Sequence, residues 1–229
     1  MKYKLLFLAI CFNVTIAFSQ NKADTVSVDA LEKETTIAVS DDVKIPHHTG
    51  MVLWLNEEWW QALLQGHKEV PTESKNTILT TMGRYDVLAV IDLINDSGYA
   101  FKYTDRKTIL NYVKMMDKYG GTIKPYSEEE YEISLTQILN ILKPMLQSYM
   151  GNMASHIEFI VYPAWESATN RYFDPYKSGS FHLKYNSIDH FIRLPLGSLL
   201  KPKWCKKCKE MRNGSWTYCP YDGSLLEEK

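Results

Sequence analysis

The chain is poor in cysteine and in long apolar segments, and each shortage excludes a class of protein. It has four cysteines in 229 residues, and only Cys205, Cys208 and Cys219 follow residue 11. An odd number of cysteines cannot pair completely into disulfides. No segment after residue 19 approaches the ~20 apolar residues of a transmembrane helix. The formal net charge of −1 lacks the basic excess of a nucleic-acid-binding domain, so we expect neither a membrane span nor a nucleic-acid partner.

Common catalytic signatures are also missing. The sequence contains no GxSxG motif, no P-loop and no dinucleotide-binding fingerprint, so those enzyme classes are not indicated. It also lacks an HExxH motif, which argues against a catalytic zinc. These absences favour a protein that is not an enzyme.

The first residues have the layout of a secretory signal. Lys2 and Lys4 precede a short apolar run, and the small residues Ala17 and Ser19 occupy the −3 and −1 positions of a cleavage site. The run is too short for a membrane anchor. We therefore expect an exported protein, periplasmic or secreted, with Gln20 as its mature N-terminus.

Composition and periodicity divide the chain into four parts. The predicted parts are a signal peptide (1–19), a flexible polar leader without aromatic residues (20–45), an α+β core (46–200) and a zinc-ribbon-like module (201–229). The predicted helices lie at 56–66, 72–83, 104–121 and 127–151, and the predicted strands lie at 86–92, 99–103, 156–162, 181–185 and 190–195. Helices and strands grouped in this way favour an α+β fold with a largely antiparallel sheet over an alternating parallel fold.

Two details of the helices are predicted from local signals. Ser127 and Glu130 have the spacing of a capping box, which predicts a helix beginning there. Pro144 removes one backbone donor and crowds the preceding turn, so it is expected to kink or split this helix.

The strongest local signal lies near the C-terminus. Cys205 and Cys208 form a Cys-x-x-Cys pair, and Cys219 is followed three residues later by Asp222. Two-residue spacing allows one tight turn to present two ligands to a tetrahedral ion, and carboxylate oxygen is an acceptable zinc ligand. The sequence thus predicts a structural zinc site formed by Cys205, Cys208, Cys219 and Asp222.

Residues 202–226 resemble small bacterial zinc ribbons that end in an aromatic-Cys-Pro-x-Asp-Gly-x-Leu pattern. The resemblance implies a structural module and no particular chemistry. In those ribbons a glycine usually follows the first cysteine pair, whereas this chain has Lys209 there. The pattern is carried here by Tyr218, Cys219, Pro220, Asp222, Gly223 and Leu225.

Two alternatives to zinc arise from the same cysteines. A disulfide is natural in an exported chain but would leave one odd thiol. The string WCKKC is also similar to a thioredoxin active site, but in that fold the motif lies early and opens a long helix. Too little chain follows Cys208 to complete such a fold, so zinc is preferred and the disulfide remains the alternative.

The core offers only scattered candidates for chemistry. Asp86, Asp92 and Asp105 flank a predicted hairpin, and His156, His182 and His190 lie in or beside predicted strands. If several of them converged in a cleft, they would support a cell-envelope hydrolase. The aromatic segments 55–61 and 162–176 could instead stack on a glycan, although core packing is the commoner use of such residues.

Two hypotheses about function follow. The first is a non-enzymatic exported protein, a binding or envelope-assembly module that recognises a protein or glycan partner and carries a structural zinc ribbon. The alternative is a cell-envelope hydrolase whose acids and histidines meet only in the fold.

Overall fold

The backbone forms a mixture of helices and antiparallel strands, as predicted for the α+β class. A computed structural model describes residues 22–40, 48–95 and 101–228. The helices are α1 Val28–Thr35, α2 Glu57–Gly66, α3 Thr72–Met82, α4 Arg106–Tyr112 and α5 Ile133–Met150. The strands are β1 Thr36–Ser40, β2 His48–Leu55, β3 Tyr85–Asn95, β4 Phe101–Tyr103, β5 Val113–Met116, β6 Glu158–Pro163, β7 Trp165–Ser167, β8 Asn170–Arg171, β9 Gly179–Tyr185, β10 Ile188–Leu194, β11 Lys203–Cys205 and β12 Glu210–Arg212.

The long strand β3 organises the main sheet. It pairs with β2 along one edge, while its other edge is shared between β6, opposite 85–90, and β4, opposite 93–95. All these pairs are antiparallel, and β1 extends the sheet beyond β2. Residues 87–91 of β3 are all buried, because both faces of this central strand are covered. The strands predicted at 86–92 and 156–162 are therefore confirmed, and so is the part of the strand predicted at 99–103 that lies within the described residues, 101–103.

A second, three-stranded sheet has the order β10-β9-β5. It packs against the main sheet through Phe181, whose ring stacks on Trp54 of β2 at 4.4 Å between centroids. Strands β9 and β10 confirm the predictions at 181–185 and 190–195. The sequence analysis missed β1, β2, β5, β7 and β8.

Helix caps follow the local sequence closely. The Asn56 side chain accepts a hydrogen bond from the Trp59 backbone N–H at 2.9 Å, which fixes the start of α2. Asp105 caps α4 in the same way through Thr108. Both predicted helices at 56–66 and 72–83 are confirmed by α2 and α3.

Two of the predicted segments differ from the structure. Residues 28–40 of the predicted flexible leader form α1 and β1, because Leu31 and Val39 are buried in the common core. The helix predicted over 104–121 ends at Tyr112, and Val113–Met116 pairs with β9 instead. Val113 and Met115 are both buried, whereas the residue between them is exposed. This alternation fits a strand at the edge of the second sheet.

The region around Pro144 also departs from expectation. The Ser127 N–H does donate to Glu130 Oε2 at 2.7 Å, but this pair begins a short 3₁₀ turn, and α5 starts only at Ile133. Helix α5 is not split at Pro144. Both Pro144 and Asn140 are exposed, so the carbonyl that loses its helical donor can bond to water. The predicted signal peptide lies outside the described residues.

A group of charged side chains is buried beside the main sheet. Asp86 is fully buried and accepts a hydrogen bond from the Trp54 indole at 2.8 Å. Arg171 donates to Glu58 at 3.1 Å, and both side chains are less than a tenth exposed. Burial raises the pKa of Asp86 to about 7, although the charge of Arg171 opposes the rise.

This raised pKa predicts how stability depends on pH. The folded state holds the Asp86 proton more tightly than the unfolded chain does, so the free energy of unfolding should fall as pH rises from about 4 to about 7. The slope should approach roughly 1.4 kcal/mol per pH unit and level off above this range. Denaturant unfolding across pH measures it. Asp86→Asn retains an acceptor for Trp54 and should flatten the profile; an unchanged profile would contradict the assignment to Asp86.

Candidate metal centre

The C-terminal cysteines lie in two short turns that face each other. Cys205 ends β11, which pairs with β12 through Cys205 and Glu210. Cys219 follows a second turn-rich segment, in which Tyr218 and Leu225 form an antiparallel bridge. Cys205 and Cys219 are buried together with Leu226, and these three residues form a small core separate from the main one. Leu225, which the zinc-ribbon pattern places at its end, is 60% exposed.

The first ligand turn, residues 205–209, presents two sulfurs to one point. The Cys208 N–H donates to Cys205 Sγ at 3.3 Å, and the Lys209 N–H donates to the Cys205 carbonyl at 2.9 Å. Lys209 has φ of +57°, in the left-handed region that glycine adopts without steric cost. This explains physically why glycine is usual at the position.

The second ligand turn, residues 219–223, repeats this arrangement. The Gly223 N–H donates to the Cys219 carbonyl at 2.9 Å, and Gly223 has φ of +71°. Cys219 therefore corresponds to Cys205, and Asp222 corresponds to Cys208. The Asp222 carboxylate therefore has the same position in the second turn as the Cys208 sulfur has in the first.

The four candidate ligand atoms converge. All lie within 4.8 Å of one another. Cys208 Sγ is 3.7 Å from Cys219 Sγ, and Cys205 Sγ is 3.4 Å from Asp222 Oδ2. A tetrahedral zinc ion, with Zn–S of about 2.3 Å and Zn–O of about 2.0 Å, would separate these pairs by about 3.8 and 3.5 Å. Cys208 Sγ and Asp222 Oδ2 are closer, at 2.9 Å. The cluster could hold a metal ion.

Comparisons with protein-family models, with curated proteins and with solved structures found no match for the chain. What the site can do is therefore inferred from its own geometry.

Ser224 orients the carboxylate. Its backbone N–H donates to Asp222 Oδ1 at 2.8 Å, and its hydroxyl also contacts that oxygen. Oδ1 is thus engaged, and Oδ2 faces the sulfurs of Cys205 and Cys208. Partners that orient a ligand are typical of protein metal sites. The sequence analysis did not identify Ser224, because a serine after glycine is an ordinary turn residue.

The electrostatics of the cluster couple metal binding to the loss of a proton. The hydrogen bond to Asp222 raises the pKa of Cys208 to about 12, and the same bond lowers the pKa of Asp222. A bound cation would displace the Cys208 proton and take its place beside the carboxylate. The Arg212 guanidinium lies over the Tyr221 ring, 4.4 Å from its centroid, and interaction with Cys208 raises the pKa of Arg212. This cation would offset part of the negative charge of three thiolates and a carboxylate.

The ligand turns are attached to the core through α1. Glu34 accepts hydrogen bonds from the Asn213 side chain at 2.9 Å and from the backbone N–H of Ser198 at 2.9 Å. The Asn213 amide lies so close to Gly197 that a Cβ atom at this glycine would overlap it, so any larger residue there would force Asn213 away. One carboxylate of α1 therefore joins the C-terminal segment to the core.

The unusual backbone at Lys209 carries a prediction. Lys209→Gly should stabilise the C-terminal segment by up to about 1 kcal/mol, because glycine relieves the left-handed strain but adds unfolded-state entropy. Hydrogen exchange of the Cys219 and Gly223 backbone N–H groups at increasing urea concentration measures the change. Lys207→Gly is the matched control: it is exposed in the same turn and has no positive φ, so it should destabilise. Equal effects of the two substitutions would contradict the explanation.

The acids and histidines of the hydrolase hypothesis have separate local partners. Asp86 bonds to Trp54, and His156 stacks on Tyr103 at 3.6 Å. His182 bonds to Asp189 at 3.0 Å. The remaining pair does approach a common residue, Tyr185: Asp92 hydrogen-bonds to Tyr185, and the His190 ring lies 6.5 Å from it. Tyr185 and Asp92 are buried, so this grouping presents no reactive face to a substrate.

The aromatic segments considered for glycan stacking are largely internal. Trp59 and Trp60 of the first segment, and Tyr162 and Phe173 of the second, are each no more than 3% exposed. Trp165 is 40% exposed and donates its indole N–H to the Gly83 carbonyl. Core packing is thus the main use of these rings.

Proposed function

We propose that Cys205, Cys208, Cys219 and Asp222 bind one zinc ion that stabilises a C-terminal zinc ribbon. The observation that carries the proposal is the correspondence of the two ligand turns, which places a carboxylate where a fourth thiolate is expected. Two facing turns, each offering two ligands, complete the tetrahedral shell of a structural zinc site.

The donor set favours zinc over other cations and over a disulfide. Three sulfur ligands suit zinc and are unsuited to magnesium or calcium, which prefer oxygen. The sulfurs of Cys208 and Cys219 lie 3.7 Å apart, well beyond the ~2.05 Å of a disulfide bond. A shell closed by four protein ligands leaves no position for substrate, which supports a structural role.

The whole protein, in this proposal, is an exported binding or envelope-assembly module. The signal-like first residues support export. Among the described helices, none combines the length and the hydrophobicity needed to cross a membrane. Glu34 attaches the ribbon to α1. This contact supports a structural role for the ribbon, which would hold the N-terminal helix against the core.

Metal analysis of the purified mature chain tests the zinc site. We expect one zinc per chain, near-complete loss of zinc in Cys208→Ala and partial loss in Asp222→Ala. In the latter, three thiolates remain and water can occupy the fourth position. Asp24→Ala is the control, since Asp24 pairs with Lys201 at the exposed base of the ribbon, and it should retain full zinc.

Two results would contradict this assignment. One is unreduced protein that contains no metal and a single free thiol, which would establish the disulfide alternative. The other is Asp222→Ala protein whose zinc affinity equals that of the wild type, which would remove Asp222 from the ligand set.

A further inference from the structure

A small polar cleft lies between α4, α5 and β6. Its volume is about 280 Å³, just below the roughly 300–1,000 Å³ typical of sites for larger small molecules, so it suits a ligand about the size of an amino acid. Its charged lining residues are two cations, Arg106 and Lys143, and two anions, Glu128 and Glu158. A ligand that matches this lining carries charges of both signs.

Two of these four charges are engaged by the protein itself. The Arg106 guanidinium donates to the Tyr131 hydroxyl at 2.8 Å and to the Phe159 carbonyl. Its Nε lies 3.2 Å from Glu128 Oε1, so Arg106 and Glu128 form an ion pair. Because the Arg106 side chain is only 18% exposed and is hydrogen-bonded on several sides, it forms a fixed wall of the cleft.

Glu158 and Lys143 are the charged lining residues that lack a close partner. Among the described residues, Glu158 has one ion pair, with Arg106 at 3.9 Å, and Lys143 has none. Burial raises the pKa of Glu158, and the charges of Arg106 and Lys143 oppose the rise. Lys143 is therefore close enough to act on Glu158 without contacting it, and a space separates the two charges.

A third polar group lies beside Lys143. Asn140 precedes Lys143 by three residues on α5, and residues with this spacing lie on the same face of a helix. The Asn140 side chain is exposed, lines the cleft and has no hydrogen-bond partner among the described residues. Its amide N–H groups and the Lys143 ammonium are both suitable donors to a carboxylate. The buried side chains of Leu139 and Ile157 also line the cleft and can contact a small apolar group.

We propose that this cleft binds one small α-amino acid as a zwitterion. The ammonium group of the ligand pairs with Glu158, and its carboxylate accepts hydrogen bonds from Lys143 and Asn140. One carbon separates the two charged groups of an α-amino acid, so a single molecule can fill the space between Lys143 and Glu158. The site uses no residue of the ribbon, so it goes beyond the proposed function and does not depend on it.

Calorimetric titration of the purified mature chain with L-alanine tests the proposal. We expect saturable binding of one molecule per chain. N-acetyl-L-alanine lacks the ammonium group and L-alaninamide lacks the carboxylate, so each should bind at least tenfold more weakly than alanine. Absence of alanine binding, or equal binding of the three compounds, would overturn the proposal.

Two substitutions assign each charge of the ligand to its partner. Lys143→Gln should weaken alanine binding at least tenfold and abolish the preference for alanine over alaninamide. Glu158→Gln should weaken alanine binding as much and abolish the preference for alanine over N-acetylalanine. Lys75→Gln is the matched control, because Lys75 is also a half-buried lysine on a helix but does not line the cleft; this variant should bind normally. Thermal unfolding of each variant establishes that it is folded.

Two further results would also overturn the site. Alanine binding that both Lys143→Gln and Glu158→Gln retain at full strength would place the ligand elsewhere on the protein. A double-mutant cycle in which Lys143 and Glu158 are coupled without ligand, together with no alanine binding, would show that the two side chains pair with each other. Either result leaves the zinc ribbon proposal intact, because the zinc content is measured separately.

Discussion

With zinc bound at the proposed site, removing the metal should unfold residues 201–226 and leave the rest of the described core folded. Beyond the ligands, only Leu226 is buried in the small core of this segment. Too little apolar surface is buried there to stabilise the segment alone. Zinc binding in comparable small modules supplies an apparent ~10–16 kcal/mol at neutral pH. Loss of the ion should therefore remove most of the local stability.

Hydrogen exchange with and without a chelator measures this effect. The backbone N–H groups of Lys209, Cys219 and Gly223 are hydrogen-bonded within the ribbon, and they should lose protection by several orders of magnitude. Residues 87–91 should keep theirs. Chelator presaturated with zinc is the control. Protection that persists in metal-free, reduced protein would show that the ribbon folds without an ion.

The hydrogen bonds of Glu34 determine how far the loss of hydrogen-exchange protection should extend beyond the ribbon. Since Glu34 bonds to Asn213 in the ribbon and to Ser198 in the core, α1 should lose part of its protection together with the ribbon. In Glu34→Gln the hydrogen bonds weaken because the acceptor is no longer charged. In this variant, therefore, only residues 201–226 should lose hydrogen-exchange protection when the metal is removed.

Replacing Arg171 should give the largest loss of stability from a single change in the core. Arg171→Met should lower the free energy of unfolding by about 3–5 kcal/mol, because Glu58 would then lie buried without its cationic partner. The charge of Arg171 also lowers the pKa of buried Asp86. Its loss should raise that pKa further and extend the fall in stability to higher pH.

Chemical denaturation at neutral pH checks this value. Arg84→Met is a matched control: Arg84 also pairs with a glutamate, Glu132, but both side chains are nearly half exposed, and an exposed pair is worth at most about 1 kcal/mol. The double variant Arg171→Met, Glu58→Leu should recover much of the loss, since it leaves no uncompensated charge at that pair. Equal losses for Arg171→Met and Arg84→Met would contradict the importance of burial.

Local signals in the sequence predicted the parts of this protein whose structure is set by near neighbours. Asn56 and Asp105 cap helices because each side chain reaches a backbone N–H three residues ahead. The apolar run in β3 is long enough to be covered on both faces. The spacing of Cys205, Cys208, Cys219 and Asp222 marked a candidate metal site, because two-residue turns present paired ligands in any fold.

Tertiary structure decided the parts that depend on distant partners. Residues 113–116 fit a helical stripe equally well, and only the free edge of β9 selects a strand. The polar segment 28–40 folds because Leu31 and Val39 find a core that the segment itself does not contain. The burial of Arg171 with Glu58 joins residues 113 positions apart. The cleft lined by Lys143 and Glu158 is a space left between two helices and a strand. It depends on how these elements pack together, which the pattern of apolar residues along the chain does not predict.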